Sequence, residues 1–390
     1  MLNLGVIGLG VRAASVIASM QQQDADVRVT VVSDPDEKSA RKRMADVKVD
    51  DSHATFIDGV DELLLRSDDL DGLVIGTRCN LHTPMATRIA QTRLPLFLEK
   101  PVAINQDQLD QLGDAFVGRE KSVVVSFPLR VTPLLQRVAE IIQSGRLGII
   151  NQVQAFNYVS YGGVYFGQWY RDFDTTGGLW LQKATHDFDY INRLIAATPT
   201  HISAMSSRRV YGGNMPDDLR CSRCDLADTC PEGPRAMADR NDDGGMGRPD
   251  HACPFSRSIK HHDAATAMIM YDNGVHASYA QNFITRRSAN SRGARITGYE
   301  ATLDFNWYTE TIRVIDHHKK SVDEIKVEIP NGHHGGDSVL GRNFVDVMRG
   351  TDESHSPLQD GLLSAAMCLA AQRSEASGRL EAIGAQTMVV

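Results

Sequence analysis

The sequence has no apolar run long enough to cross a bilayer, no excess of basic residues, and few cysteines for its length. A membrane span needs about 18 or more consecutive apolar residues, and no run reaches that length. The net charge of −8 disfavours binding to nucleic acid or to an anionic membrane surface. Six cysteines in 390 residues are too few for a disulfide scaffold. We therefore expect a small-molecule ligand, in a chain long enough for two domains with full cores.

Targeting signals are also missing from the start of the sequence. A strand-like run begins almost at Met1, which leaves no room for the basic and apolar regions of a signal peptide. We therefore expect a cytoplasmic protein.

The first apolar run leads into Gly8-Leu9-Gly10-Val11-Arg12-Ala13, a pattern typical of a strand, a tight turn and a helix start. Glycine allows the backbone to approach a pyrophosphate, and the helix N-terminus offers it unpaired N–H groups. Such turns also occur for packing alone, so the pattern needs an acid at the end of the next strand. Asp34 follows the β-branched run Val27–Ser33, where a carboxylate can accept from both ribose hydroxyls. The two features together predict a dinucleotide site.

The choice between NAD and NADP depends on the residues that follow Asp34. The Arg-Lys-Arg segment at residues 41–43 could bind the 2′-phosphate of NADP. Asp34 would repel that phosphate, and Pro35 stands where an arginine is often useful. The sequence favours NAD, with NADP as the alternative.

Strand-like and helical segments alternate through residues 1–126, which predicts a doubly wound parallel sheet of Rossmann type. From about residue 149 the runs become long and β-rich, and Asp272-Asn273-Gly274 is a strong hairpin signal. The predicted fold class is therefore α/β, with a C-terminal α+β domain built on a large open, mostly antiparallel sheet. We expect that domain at residues 127–335, with a cysteine-rich insertion at about 212–262. Helices at residues 336–390 are expected to pack back across both domains.

Lys100 is the first candidate for chemistry. It follows a strand-like run in the sequence Glu99-Lys100-Pro101, and ligands of open α/β sheets bind outside the carboxyl ends of the strands. A lysine in a partly dry site can exchange a proton with a substrate hydroxyl as hydride leaves the same carbon. A solvated surface lysine is the alternative, but the strand terminus and the rigid proline favour a functional role.

A second candidate segment begins at Gly177-Gly178 and leads into a helix. Gln182, Lys183, His186 and Asp187 follow at three- and four-residue spacings, which place them on neighbouring helical faces. The unperturbed pKa of histidine, about 6.5, suits a base at neutral pH. Upstream, Tyr161, Trp169 and Arg171 could stack on a sugar ring; sheet core and a surface charge are an equally good interpretation.

These motifs together resemble the Gfo/Idh/MocA oxidoreductase family. The resemblance rests on Gly8-Leu9-Gly10, Asp34, residues 77–82, Glu99-Lys100-Pro101 and residues 177–189. It implies a Rossmann domain followed by an α/β domain whose open sheet often mediates oligomers, here a homodimer or homotetramer. It also implies redox chemistry on carbohydrates or cyclitols. Carried over by position, the cofactor-binding residues are Gly8, Gly10, Val11, Arg12, Asp34, Thr77, Asn80, His82, Glu99 and Lys100.

The sequence departs from that family at one catalytic position. An acid usually precedes the histidine by four residues, and Gln182 stands there instead. Glutamine can hold a hydroxyl but cannot take its proton, so proton transfer would fall to Lys100 and His186. Lys183 resembles a subset of the family with a lysine at this position, and it could bind an acidic or ring-oxygen group. The predicted catalytic residues are Lys100, Lys183 and His186, and the predicted substrate contacts are Gln182, Lys183, Asp187, Arg171, Tyr161 and Trp169.

Three functions compete for these residues. The first is an NAD-dependent dehydrogenase that acts on a sugar, sugar acid or cyclitol. The second is a redox glycosidase, in which NAD transiently oxidises a sugar, the aglycone is eliminated, and the hydride returns with no net NADH. The third, a non-catalytic dinucleotide sensor, is disfavoured because Lys100 and His186 are both present.

The insertion contains four clustered cysteines, Cys221, Cys224, Cys230 and Cys253. The insertion has few apolar residues of its own, so we expect a metal ion or a covalent cross-link to stabilise it. Four thiolates in a reducing compartment fit a structural zinc ion. Disulfides or an iron–sulfur cluster are alternatives, and His251 could replace one cysteine.

Overall fold

Two sheets organise the chain, and the computed structural model describes residues 1–328, 330 and 332–384. The last six residues of the predicted helical segment 336–390 lie outside the described residues.

The first sheet is parallel throughout. Its strands are β1 Leu2–Ile7, β2 Val27–Ser33, β3 Thr55–Ile57, β4 Gly72–Ile75, β5 Leu96–Leu98 and β6 Val123–Val125. They lie in the order β3-β2-β1-β4-β5-β6. The intervening helices are α1 Val11–Gln23, α2 Glu37–Asp46, α3 Val60–Leu64, α4 His82–Ile89, α5 Gln106–Ala115 and α6 Pro133–Gln143. The strand order reverses between β1 and β4, where open sheets of this kind bind ligands.

The apolar residues of these strands explain why the sheet lies between two layers of helices. β4, β5 and β6 are buried along their whole length, as expected for parallel strands that helices cover on both faces. Asn105 caps α5, and Thr132 caps α6, with side-chain oxygens that accept backbone N–H groups. Of the six strands only β3, which has three residues, is absent from the sequence prediction.

The second sheet has nine strands and is mixed. Its strands are β7 Ile150–Tyr158, β8 Pro199–Ser207, β9 Ala264–Tyr271, β10 His276–Asn282, β11 Ser291–Gly298, β12 Ala301–Asn306, β13 Thr311–Asp316, β14 Val322–Lys326 and β15 Glu381–Ala382. They lie in the order β14-β13-β12-β11-β7-β10-β9-β8-β15. β7 and β10 pair in parallel, and the other neighbours pair antiparallel. This sheet and the parallel one confirm the predicted fold class.

The remaining helices follow β7 along the chain. They are α7 Val164–Gly167, α8 Phe173–Thr176, α9 Thr185–Ile195, α10 Pro234–Arg240, α11 Gly336–Met348 and α12 Leu358–Ser377, and a π-helical turn at Trp180–Ala184 leads into α9. α11 packs against α1, while α12 packs against α9, β8 and α5. The domain boundaries at residues 126 and 335 stay predictions.

Within the part of the chain that the structure describes, no helix combines the length and apolar character needed to span a membrane.

Candidate active site

The turn between β1 and α1 forms a cradle that a side chain would fill. Gly8 has a φ of +74°, and a Cβ there would lie 2.7 Å from the backbone nitrogen of Thr77. Gly10 precedes the first turn of α1, which has no side-chain cap and no acidic residue. The free N–H groups and the missing side chains fit a pyrophosphate. Val11 begins the helix, and its side chain is exposed at this edge.

Asp34 is held against this turn at the end of β2. Its Oδ2 accepts the Leu9 N–H at 2.7 Å, and its Oδ1 accepts the Asp36 N–H at 2.9 Å. The carboxylate therefore lies beside the glycine turn, where a ribose would follow the pyrophosphate.

The basic segment at residues 41–43 is already engaged in contacts of its own. Arg41 pairs with Glu37 and Asp51, and Arg43 donates to the Leu9 carbonyl at 2.9 Å. Two carboxylates therefore engage Arg41, whereas Arg43 reaches the glycine turn itself.

Arg12 contacts a residue that is far from it in the sequence. Its two terminal nitrogens donate to the carboxylate of Asp337 in α11 at 3.0 and 2.9 Å, and its Nε lies 3.7 Å from Glu99 Oε1. Burial alone would lower the pKa of Arg12, but Glu99 and Asp337 reverse the shift and raise it. The guanidinium predicted to line the pyrophosphate therefore joins α1 to α11.

His82 fixes the relation between the loops that follow β4 and β5. Its ring nitrogens lie 2.8 Å from the Pro101 carbonyl and 3.2 Å from the Thr77 carbonyl. Burial lowers the pKa of His82 and favours its neutral form. The structure therefore gives His82 a positioning role. Beside it, the amide oxygen of Asn80 is buried and has no hydrogen-bond partner among the described residues.

Lys100 lies beyond the end of β5, and its Nζ donates to the Gln182 carbonyl at 3.0 Å. Burial, together with the nearby cation of Lys183, lowers its pKa from 10.5 to about 8. Its neighbour Glu99 is buried and accepts a hydrogen bond from Ser126 Oγ at 3.0 Å. Lys100 can therefore exist as a neutral amine near neutral pH.

His186 lies in the first turn of α9, directly after the π-helical turn. Turns of that kind are frequent at functional sites. Its Nδ1 is buried without a hydrogen-bond partner among the described residues. The ring packs edge-on against Phe127, with 5.6 Å between the ring centroids. Burial and the cations of Lys100 and Arg292 lower its pKa well below 6.5, so the ring is neutral.

Lys183 lies in the π-helical turn and points at aromatic groups. Its Nζ donates a hydrogen bond to the hydroxyl of Tyr161 and lies 4.4 Å from the centre of that ring. A second ring, Tyr165, is 5.9 Å away. Burial of the Tyr161 hydroxyl would raise its pKa, but the Lys183 cation reverses the shift and lowers it. The structure thus brings Lys100, Lys183, His186 and Tyr161 into one cluster.

Gln182 uses the nitrogen of its side-chain amide in contacts within the protein. Its Nε2 donates to the Thr176 carbonyl at 2.8 Å and lies 3.4 Å from Cys79 Sγ. Its Oε1 is buried and has no hydrogen-bond partner among the described residues. The amide therefore fixes the backbone beneath the cluster.

Asp187, predicted as a substrate contact, is placed inside the protein. Its side chain is fully buried and accepts hydrogen bonds from Asn157 at 2.9 Å and Tyr279 at 2.8 Å. Arg292 Nε completes the network at 2.8 Å. These contacts occupy the carboxylate, so the structure does not bring it together with the lysines.

The side chains of Trp169 and Arg171 lie in different surroundings. Trp169 stacks on Tyr170, with 3.8 Å between the ring centroids, and carries Arg78 over its face at 3.7 Å. Arg171 faces the insertion, where it donates to Ser256 and, at 3.2 Å, to Ser258. Trp169 therefore lies beside the loop after β4, whereas Arg171 secures the insertion.

The insertion packs against the segment that carries Tyr161. The Gly163 N–H donates to the Gly244 carbonyl at 2.8 Å, and the Ala252 N–H donates to the Gly167 carbonyl at 3.2 Å. A Cβ at Gly245 would lie 2.2 Å from the Tyr161 carbonyl oxygen. The insertion therefore packs against residues 161–167 and holds the backbone of Tyr161 in place.

The structure does not support the predicted zinc site. The predicted ligands, Cys221, Cys224, Cys230 and Cys253, are free thiols. Across residues 1–328, 330 and 332–384, no three or more His, Cys, Asp or Glu side chains form a group that could hold a metal ion. The ring nitrogens of His251 lie 2.8 and 2.9 Å from backbone carbonyls, and its Nε2 lies 3.6 Å from Cys221 Sγ.

An apolar cluster takes the place of the expected metal ion or cross-link. It joins Tyr211, Met237, Met246 and Ile259 of the insertion and its edge to residues outside it, including Phe166 and Phe283. The insertion therefore has a core after all, which it shares with the active-site segment.

Two charged residues near the cluster were not identified from the sequence. Arg292 lies on β11 and pairs with Asp187, while Asp337 binds Arg12. The sequence signal for Asp337 is its place after a glycine pair at a helix start. A single arginine in a strand gives no such signal.

Comparison with known proteins agrees with the fold and the glycine turn. The family model "Oxidoreductase family, NAD-binding Rossmann fold" matches residues 2–127, and the "GFO/IDH/MocA C-terminal domain" matches residues 135–304. YteT of Bacillus subtilis is 26% identical over 385 residues, with 87% of each chain covered. Inositol 2-dehydrogenase of Rhizobium meliloti is 23% identical over 211 residues, which cover 53% of this chain and 58% of that protein.

Solved structures extend the fold similarity to nearly the whole chain. Levoglucosan dehydrogenase, in complex with NADH and levoglucosan, has a TM-score of 0.76 at 16% identity and covers 98% of this chain and 99% of its own. The fold and the dinucleotide cradle define an NAD-binding oxidoreductase with an N-terminal Rossmann sheet. The matched family models at both ends show that the chain belongs to the GFO/IDH/MocA family.

Proposed function

We propose that the protein is an NAD-dependent dehydrogenase that transfers hydride between the nicotinamide and a carbohydrate-type alcohol, namely a sugar, a sugar acid or a cyclitol. The observation that carries the proposal is Lys100. Its amine has a pKa of about 8, is held on the Gln182 carbonyl, and belongs to the same cluster as His186. A base with a pKa near the working pH is the most effective kind.

The chain's own residues would divide the work in a simple way. Neutral Lys100 accepts the proton of the substrate hydroxyl, and neutral His186 hydrogen-bonds the same oxygen and orients it. Gly8, Gly10 and the first N–H groups of α1 would hold the pyrophosphate, and Asp34 the adenosine ribose. When bound, NAD supplies the hydride acceptor. The carboxylate of Asp34, held beside the glycine turn, supports NAD over NADP.

Named relatives support the substrate class. Inositol 2-dehydrogenase and levoglucosan dehydrogenase are both named for polyhydroxylated ring substrates. We extend the proposal to a cytoplasmic homo-oligomer, a homodimer or homotetramer, that associates through the nine-stranded sheet. Exposed methionines on one face of that sheet, Met205, Met268 and Met270, support such an interface.

The redox glycosidase is the second candidate, because Gln182 stands where the resemblance leads us to expect an acid. The two functions are separated by screening sugars, sugar acids, cyclitols and aryl glycosides for NADH absorbance and for aglycone release. Accumulating NADH with a free sugar or cyclitol supports the dehydrogenase. Aglycone release with tightly bound NAD and no net NADH supports the glycosidase, and neither signal across the panel contradicts both.

A further inference from the structure

The basic side chains around His186 differ in their partners. The cations Lys100, Lys183, Arg12 and Arg292 face three carboxylates, those of Glu99, Asp337 and Asp187. Asp337 and Glu99 hold Arg12, and Asp187 holds Arg292. Among the described residues, neither lysine has a carboxylate oxygen within the 4 Å of an ion pair. Because Lys100 can exist as a neutral amine, the cation left without a carboxylate partner is Lys183.

Lys183 is buried and has no carboxylate partner among the described residues. Its side chain is only 6% exposed, and of its three N–H donors one bonds the Tyr161 hydroxyl. Its other close neighbours are ring faces. A buried ammonium is costly unless an anion pairs with it. The adjacent Gln182 supplies no charge, and its amide donates to the Thr176 carbonyl.

We propose that the substrate carries a carboxylate and that Lys183 binds it, so that the enzyme acts on a sugar acid rather than on a neutral sugar or cyclitol. This inference rests on the proposed dehydrogenase function. The carboxylate would pair with Lys183 and would receive a charge-assisted hydrogen bond from it. Tyr161, which contacts Lys183, is 44% exposed, so a substrate can reach this pair from solvent. The Tyr161 hydroxyl could donate a second hydrogen bond to the substrate carboxylate.

The cation of Lys183 also acts on the neighbouring titratable groups. It contributes to the lowered pKa values of both Lys100 and His186. A carboxylate bound at Lys183 would offset that charge, while burial, the largest cause of both shifts, would still hold the two pKa values low. A neutral sugar would leave the buried cation unpaired, which costs binding in the ground state and in the transition state alike.

The test compares matched acid and neutral substrates. The pairs are glucuronate with glucose, galacturonate with galactose, and gluconate with glucitol, assayed for NAD reduction with wild type, Lys183→Met, Lys183→Arg and the exposed control Lys260→Met. We expect wild type to favour the acid of at least one pair by about 10-fold or more in kcat/KM. Lys183→Met narrows that ratio by about 10- to 100-fold, Lys183→Arg preserves most of it, and Lys260→Met leaves it unchanged.

A binding measurement supplies a readout that does not depend on turnover. Calorimetric titration of the preferred acid into enzyme saturated with NADH should give a Kd that Lys183→Met weakens by a similar factor, while the Kd for NADH stays the same. If wild type reduces NAD with neutral partners and not with acids, the carboxylate inference is wrong and the dehydrogenase stands. Equal losses for both members of a pair in Lys183→Met would also overturn it. If no substrate reduces NAD, the proposed function fails and this inference fails with it.

Discussion

Arg12 in the first turn of α1 binds Asp337 in the first turn of α11 through two hydrogen bonds, at 3.0 and 2.9 Å. The contact fastens the helix that begins at the dinucleotide cradle to a helix from the far end of the chain. Glu99, beside Lys100, approaches the same guanidinium at 3.7 Å. The cradle and the proton-transfer cluster therefore share one anchor.

Replacing Asp337 with asparagine should destabilise the protein, because it leaves Arg12 with a weaker partner. The Asp337 side chain is 6% exposed and that of Arg12 30%, so we expect a loss of about 2 kcal/mol in the free energy of unfolding. The control is Asp346→Asn, which removes an exposed pair with Arg342 on the same helix and should cost less than about 0.5 kcal/mol. Urea denaturation measures both. Equal losses in the two variants would contradict the proposed anchor.

The rate of alcohol oxidation should depend on pH through Lys100. The acceptor must be the neutral amine, so kcat/KM should rise with pH and level off above a pKa of about 8. Lys100→Met should lower the rate at least about 100-fold and remove this limb, with little change in the Kd for NAD. Lys121→Met, which removes an exposed lysine paired with Glu353, serves as the control. A variant at Lys100 that kept the rate, or kept the limb, would show that another group takes the proton.

Asp189 should make stability fall as the pH rises. Burial raises its pKa from 3.8 to about 7, although Arg130 lies 3.5 Å away and opposes the shift. Between these values the folded carboxyl keeps its proton while the unfolded one has lost it, so stability decreases through this window. The loss is on the order of 4 kcal/mol at most. Asp189→Asn should make the slope of stability against pH more positive in this window, whereas Asp174→Asn, at an exposed pair with Lys260, should not. Chemical denaturation at a series of pH values decides this, and an unchanged slope in Asp189→Asn would refute it.

Gly245 should be essential to the position of the Tyr161 segment. It has a φ of +92°, and a Cβ there would lie 2.2 Å from the Tyr161 carbonyl oxygen. Gly274, in the hairpin between β9 and β10, also has a positive φ but nothing within 4 Å of its Cβ position. Gly245→Ala should therefore raise the substrate KM and lower the Tm by more than Gly274→Ala does. Both variants put an alanine at a positive φ, and only Gly245→Ala adds a steric clash. Matching effects would mean that the insertion does not position Tyr161.

The parallel sheet could be predicted because its signals are local. Apolar runs, glycine turns and capping residues lie within a few positions of the elements they define. β3, Thr55–Ile57, is missed because it is short, partly exposed and not wholly apolar, whereas the equally short β5 and β6 are apolar and buried throughout. The second sheet is antiparallel, as predicted, except where β7 meets β10. That pairing is set by the path of the chain through α9, β8 and β9, which no local pattern encodes.

The candidate site divides in the same way. Motif position brings out Lys100, Lys183 and His186, but their surroundings come from distant segments. Asp187 follows His186 directly, yet successive helical residues are rotated by about 100°, so Asp187 faces β11 and pairs with Arg292. The zinc prediction was unsupported for a similar reason. The insertion's apolar residues are few in sequence and form a core only with Phe166 and Phe283 of other segments.

The central claim is hydride transfer from a carbohydrate carbon to a nicotinamide acceptor with proton transfer to Lys100. The most direct measurement uses a substrate found in the panel, deuterated at its oxidised carbon, and follows the label by NMR and mass spectrometry. The account predicts that deuterium appears in accumulating NADH, with a primary isotope effect on the rate, and that Lys100→Met suppresses the transfer. Deuterium that stays in the sugar while no NADH accumulates, or product formed with no dependence on Lys100, would contradict it.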